Sequence, residues 1–205
     1  MSLLRRSNRF GLICLCTTMT AVSPSLVVLG APQGVFAAAL PSLQATDLNS
    51  KACHLPAVGV PATVLFFVIH DCPICNRYAP EINRITEDYK SRRVACYVVY
   101  VESDFPAAQA AEHAKEYGFR CGLLRDPHHE LSRSTGADVA PEAVLISSDG
   151  SVVYRGRIDD TFASFGMKRP QPTSRDLRNA LDEVLAGVPV AKASAPAIGC
   201  AIPKD

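Results

Sequence analysis

The feature that most restricts the fold of this chain is an apolar run that leads directly into a Cys-x-x-Cys. Ala62 to Ile69 is continuously apolar and rich in β-branched and aromatic residues, apart from the hydroxyl of Thr63. A run that short fits a strand covered on both faces. His70-Asp71-Cys72-Pro73-Ile74-Cys75-Asn76 follows at once, and a helical pattern extends from about Pro73 to Lys90. Cys72 therefore falls at the carboxyl end of a strand and the amino end of a helix. The free amides and dipole of a helix N-terminus favour an anion there, so the Cys72 thiolate is favoured and its pKa lowered. Cys75 lies one turn deeper, within reach of any disulfide that Cys72 forms. Pro73 suits the first helical turn, which has no backbone donor to lose, and Pro80 is expected to kink the helix rather than end it.

The rest of the chain arranges itself around that unit. Val94 to Val101 reads as a second buried strand. Residues 105–117 favour a helix through their alanines, with Pro106 at its start and Gly118 at its stop. Cys121 to Leu124 fits a short strand and 127–135 a short helix. Ala143 to Ser147, the turn Ser148-Asp149-Gly150 and Ser151 to Arg157 form a hairpin. Leu177, Ala180, Leu181, Val184 and Leu185 mark one face of a helix over 173–186, with Thr173 and Asp176 as a capping box and Gly187 after its end. A β-α-β unit followed by an antiparallel hairpin and a covering helix is an α/β arrangement with a central mixed sheet.

Charge separates the first segment from the rest. The formal net charge is +1, which offers no electrostatic footprint for nucleic acid. Yet residues 1–37 hold Arg5, Arg6 and Arg9 and no acid, followed by a mostly apolar stretch and Val35-Phe36-Ala37. This is the pattern of a cleaved secretory signal. An uncleaved anchor is the competing reading, weakened by Pro24 and several hydroxyls; cleavage leaves no stable membrane span. The expected organisation is a signal segment at 1–37, a leader at 38–60, a domain at 61–187 and a Pro/Ala-rich tail at 188–205 carrying Cys200. Of eight cysteines, Cys14 and Cys16 would leave with the signal. The remaining Cys53, Cys72, Cys75, Cys96, Cys121 and Cys200 form an even set, as suits an exported chain.

The spacing C-x-x-C-x4-P after an apolar strand, with Val139-Ala140-Pro141 ahead of the strand at 143–147, resembles the thioredoxin-like superfamily. The resemblance implies a thioredoxin fold, its central mixed sheet flanked by helices and an extra helix inserted between the second strand and the cis-proline strand. It implies that Pro141 is the cis-proline facing Cys72 and that the Ala140 backbone serves substrate pairing. Pro141-Glu142-Ala143-Val144-Leu145-Ile146, Tyr154-Arg155-Gly156-Arg157-Ile158-Asp159-Asp160 and the tail Gly199-Cys200-Ala201-Ile202 resemble an exported redoxin subgroup related to peroxiredoxins. By that resemblance the function is thiol–disulfide exchange, with Cys72 attacking and Cys75 resolving. Its partners would be protein thiols or disulfides, or a redox partner protein, and no metal or other cofactor is called for. Cys200, in an apolar cluster on the tail, reads either as a structural half-cystine or free thiol, or as a third redox cysteine that exchanges with Cys72 or Cys75.

Other readings compete. A peroxiredoxin-like peroxidase would use Cys72 with Cys75 or Cys200 on peroxide, but Leu65 and Ile69 stand where peroxiredoxins carry a proline and a hydroxyl residue. Copper delivery would need the two cysteines and one of His54, His70, His128 or His129. Half a zinc site lacks a second Cys-x-x-Cys, and Asn76 in place of histidine removes a c-type haem motif. His128 and His129 read as solvent-facing residues at a helix start, and Cys96 as a buried inert thiol or structural half-cystine. Glu142 reads either as a tuner of thiol protonation or as a surface carboxylate. Arg155, Arg157, Asp159 and Asp160 read as surface or structural pairs.

Overall fold

The computed structural model describes residues 43–203. The expected signal segment and the start of the leader lie outside the described residues. In chain order the elements are β1 (Leu43–Asp47), β2 (Ala52–Leu55), β3 (Ala62–Val68), α1 (Pro73–Lys90), β4 (Ala95–Tyr100), α2 (Ala107–Glu116), β5 (Gly122–Arg125) and α3 (Glu130–Thr135). There follow β6 (Val139–Ala140), β7 (Glu142–Ser147), β8 (Val152–Gly156), β9 (Phe162–Ser164), β10 (Met167–Lys168), α4 (Asp176–Leu185), β11 (Ser194–Ala195) and β12 (Cys200–Ala201).

Every residue of β3 is buried, as its unbroken apolar sequence requires of a central strand. It runs parallel to β4, with Phe66 opposite Val98, and antiparallel to β7, with Phe66 opposite Ala143. The main sheet is mixed and has the order β11-β8-β7-β3-β4-β5-β1-β2. Helix α1 turns Ile74, Tyr78, Ile82, Ile85 and Tyr89 inward at helical spacing and continues through Pro80. It is tied to α4 by Arg178, whose guanidinium reaches Glu81 at 2.9 Å and Asp88 at 2.8 Å.

Three expectations needed correction. Residues 43–55 fall within the leader, but their β1–β2 hairpin extends the sheet beyond β5; short, polar strands at an edge lack the apolar run that marks a central one. The capping box at Thr173 is not formed. Helix α4 starts at Asp176, and Thr173 and Ser174 instead donate their amides to Asp160. His129 does not face solvent: it is buried and its Nε2 pairs with the Val101 carbonyl at 2.8 Å. His128 beside it is exposed as expected.

The charged residues after β7 are structural, as their sequence setting indicated. Arg157 meets Asp176 at 2.7 Å, Arg155 donates to the Gly136 carbonyl at 2.7 Å, and Asp159 accepts from the Tyr78 hydroxyl at 2.8 Å. Asp160 holds the segment entering α4, and its hydrogen bonds keep its carboxyl down at about 2.

Candidate active site

The strand–helix junction supplies the first element of the site. Cys72 is the N-cap of α1, in extended backbone geometry, with Pro73 opening the helix. Its thiol donates to the carbonyl of Ala140 at 3.5 Å. Ala140 precedes Pro141 through a cis peptide bond, so the two places singled out by the sequence, 72–75 and 139–141, meet at one backbone atom. Cys75 sits in the first turn of α1, its sulfur accepting the Ile69 amide at 3.5 Å.

The third sulfur at this point belongs to Cys200. The tail returns as β12, antiparallel to β6, with Cys200 opposite Ala140 and Ala201 opposite Val139. Cys72 and Cys200 therefore converge on Ala140, one through its thiol and the other through strand register. The sequence predicts greater exposure for Cys72 than for Cys75. Instead both are 1% exposed.

The electrostatic asymmetry between the pair is large. Cys72 is lowered from the ordinary 9.0 to about 5 by the Cys75 thiol first, against the opposing effect of burial, with help from Cys200 and the amides of Cys75 and Ile74. A change of that size is worth roughly 5 kcal/mol, whereas a charge at a helix terminus gains about 0.3–1 kcal/mol and at most ~2. The helix end alone is too weak, and the Cys75 thiol is the largest single cause. Cys75 moves the other way, held well above the usual thiol range by burial and then by the adjacent Cys72.

These shifts set a pH profile. Alkylation of Cys72 in the reduced protein should change less than about twofold between pH 6 and 8, whereas an ordinary thiol gains ~100-fold over that range. Cys72 should also be labelled before Cys75. The sign of the linked stability follows from the depressed folded value. Cys72 contributes fully above 9.0, and that contribution is lost as the pH falls toward about 5. Reduced protein should therefore resist urea better at pH 8 than at pH 5. A Cys72 rate that climbs in step with a model thiol would refute the assignment.

Behind the thiols lies a polar buttress that the sequence reading did not single out. The His70 amide and Nδ1 both meet Glu102 Oε1, at 2.6 and 2.7 Å, while its ring stacks on Phe105 with centroids 4.1 Å apart. Asn76 donates to the His70 carbonyl at 2.8 Å and pairs through Oδ1 with His113, which in turn pairs with the Tyr100 hydroxyl. Asn76 follows Cys75 directly, the one sequence signal that could have found this chain of contacts. Glu142 is buried, not a surface carboxylate, and accepts the Asp138 amide at 2.9 Å. It braces the loop before Pro141 and makes no contact with a thiol in this set.

Among the described residues, the one cluster of His, Cys, Asp and Glu with metal-binding geometry is His70, Asp71 and Glu102. It contains neither cysteine, so the histidine that copper delivery requires is not assembled with the pair. Cys53, Cys96 and Cys121 lie on β2, on β4 and just before β5, outside the set around Cys72. Cys96 is buried as expected, and all six described cysteines are free thiols.

Fold and site together define a thioredoxin-like protein with a dithiol at a strand–helix junction. The Redoxin family profile matches residues 35–165, and the chain belongs to the Redoxin family. An uncharacterized conserved protein from Geobacillus kaustophilus is 25% identical, with a TM-score of 0.71 over 85% of this chain and 93% of that one. Hypothetical protein SMc02350 from Sinorhizobium meliloti 1021 is 24% identical, with a TM-score of 0.69 over 80% and 91%. The fold extends to dsbF of MTB, solved in mixed oxidized and reduced forms, at 18% identity and a TM-score of 0.54 over 73% and 97%. No curated protein matches the chain.

Proposed function

We propose that this chain is an exported thiol–disulfide oxidoreductase whose redox pair is Cys72 and Cys75. The observation that carries the reading is the split between the two thiols: an acidic Cys72 capping α1 and a buried, protonated Cys75 one turn below it. In the reducing direction the Cys72 thiolate attacks one sulfur of a substrate disulfide. A Cys72–substrate disulfide forms, and the other substrate sulfur leaves as a thiolate and takes up a proton. Cys72 is then neutral, so its repulsion of a Cys75 thiolate is gone. Cys75 loses its proton and attacks Cys72, giving the Cys72–Cys75 disulfide and the second substrate thiol. The oxidising direction is the reverse, and the flux depends on partner and compartment.

Pro141 acts as a positioning residue through the Ala140 carbonyl at the Cys72 thiol. The partners fit the class of protein thiols and disulfides. A groove of about 370 Å³ beside Cys200, walled in part by Pro73, Ile74, Phe162 and Phe165, offers apolar surface for such a chain. Export rests on the basic and apolar pattern of residues 1–37. No helix among the described residues is long and apolar enough to cross a membrane.

Treating reduced protein with one equivalent of a model disulfide should yield a Cys72–Cys75 linkage on peptide mapping and two equivalents of released thiol. Hydrogen peroxide should react no faster than with an ordinary thiol of similar acidity, because Ile69 supplies no hydroxyl. Rapid peroxide consumption that survives Cys75→Ser would replace this reading with the peroxidase one.

A further inference from the structure

Two independent placements bring the tail to the redox pair. The first is backbone pairing. Residues 200–201 form β12 against β6, and Ile202 adds a hydrogen bond from its amide to the Asp138 carbonyl at 2.9 Å. Ile202 is buried, so an apolar side chain pins the end of the segment. Gly199 allows the approach: a Cβ there would lie 2.1 Å from the Ala140 oxygen and 2.5 Å from its carbon, both backbone atoms that cannot swing aside. The second placement is chemical. Cys72 donates to the Ala140 carbonyl at 3.5 Å while Cys200 sits opposite Ala140, so both cysteines converge on one backbone unit.

An extended segment with a cysteine centred on Ala140, whose carbonyl also meets the Cys72 thiol, has the geometry of a polypeptide about to exchange disulfides. We propose that the tail around Cys200 is an internal substrate, which takes over the bond to Cys72 and closes the pairing edge of β6 to other chains. The inference rests on the exchange reading above. Starting from the Cys72–Cys75 disulfide, the Cys200 thiolate attacks Cys72. A Cys72–Cys200 bond forms, the Cys72–Cys75 bond breaks, and Cys75 leaves as a thiolate that takes up the proton from Cys200. Nothing is oxidised or reduced overall, so no further reagent is needed. The reverse attack by Cys75 frees the tail.

Protonation favours this order of events. In the reduced protein Cys200 is held up at about 12, by burial first and then by the hydrogen bond and charge of Cys72. It therefore stays protonated while Cys72 is a thiolate and does not compete with it. Once Cys72 is in a disulfide, both of its contributions vanish and Cys200 ionises more readily.

The test uses oxidised glutathione on the full chain, with peptide mapping and intact mass as readouts. In Cys75→Ser, glutathione placed on Cys72 should be displaced, leaving a Cys72–Cys200 link and no added mass in at least nine-tenths of the chains. Adding Cys200→Ser should leave glutathione on Cys72. Gly199→Val, which lifts the tail but touches neither redox cysteine, should cut the Cys72–Cys200 link at least tenfold and speed alkylation of Cys72 in reduced protein. Glutathione retained on Cys72 in Cys75→Ser as fully as in the double variant would overturn the tail's role. So would a Gly199→Val chain that links Cys72 to Cys200 as well as its parent. The wild-type chain reports on the underlying reading separately. A Cys72–Cys75 bond in it, with no tail link in Cys75→Ser, removes the tail alone; failure of Cys72 to form a disulfide with either Cys75 or Cys200 removes both.

Discussion

Cys72→Ser is expected to lower disulfide exchange by more than about 10³-fold, because a hydroxyl at that site stays protonated where the thiol is ionised. Cys75→Ser should act differently. The first attack survives, since Cys72 still caps α1 and meets the Ala140 carbonyl, but turnover falls as the mixed disulfide lacks its resolving partner. Rates of model-disulfide reduction, with intact mass of the trapped species, separate the two. Retention of more than a tenth of the parent rate in Cys72→Ser would show that another thiol carries the reaction. The acidity of Cys72 depends mainly on Cys75, so Cys75→Ser should also change the pH at which the first attack switches on. The serine hydroxyl still donates, and Cys75→Ala should therefore raise that pH further than Cys75→Ser.

The second large effect concerns the scaffold. Phe66 is fully buried in the middle of β3, between Val98 and Ala143. Phe66→Ala removes an aromatic side chain from a site flanked by strands on both sides, where collapse is limited, and should cost about 3–5 kcal/mol. For a chain of this size each kcal/mol lowers Tm by roughly 2–4 °C. Urea or thermal unfolding of the reduced protein measures it, and a loss below about 1 kcal/mol would contradict the placement of Phe66. The flat alkylation profile of Cys72 should persist in whatever fraction stays folded.

The parts of the fold visible in the sequence are those with strong local patterns. Strand β3 was legible because every residue is covered and nearly all are apolar, and α1 because Pro73 and the spacing of Ile74, Tyr78, Ile82 and Ile85 agree. The meeting of 72–75 with 139–141 was legible only through resemblance, since no local rule brings positions so far apart together. The β1–β2 hairpin and the β9–β10 pair escaped because short edge strands need few apolar residues. His129 escaped for a different reason. Its left-handed backbone, with φ of 54°, turns the ring inward, and neither composition nor periodicity encodes that. Glu102, Asn76 and His113 form their network only after β4, α1 and α2 have packed, so their sequence positions carry no shared pattern.

The tail is attached at two places, and the first has a consequence of its own. Ser194 and Ala195 run parallel to β8, and Gly156 lets Ala195 approach so closely that a Cβ would meet its carbonyl oxygen at 2.0 Å. Ala195 is buried there. Were β12 to lift while β11 held, Cys200 would remain on a five-residue leash, with a reach of about 17–18 Å. A thiol tethered so closely acts as though present at millimolar concentration or above. Dilute small thiols in the surroundings would then be poor rivals for Cys72, whatever their intrinsic reactivity. Only a partner that brings its own docking surface, or displaces Ser194 and Ala195 as well, would compete on equal terms.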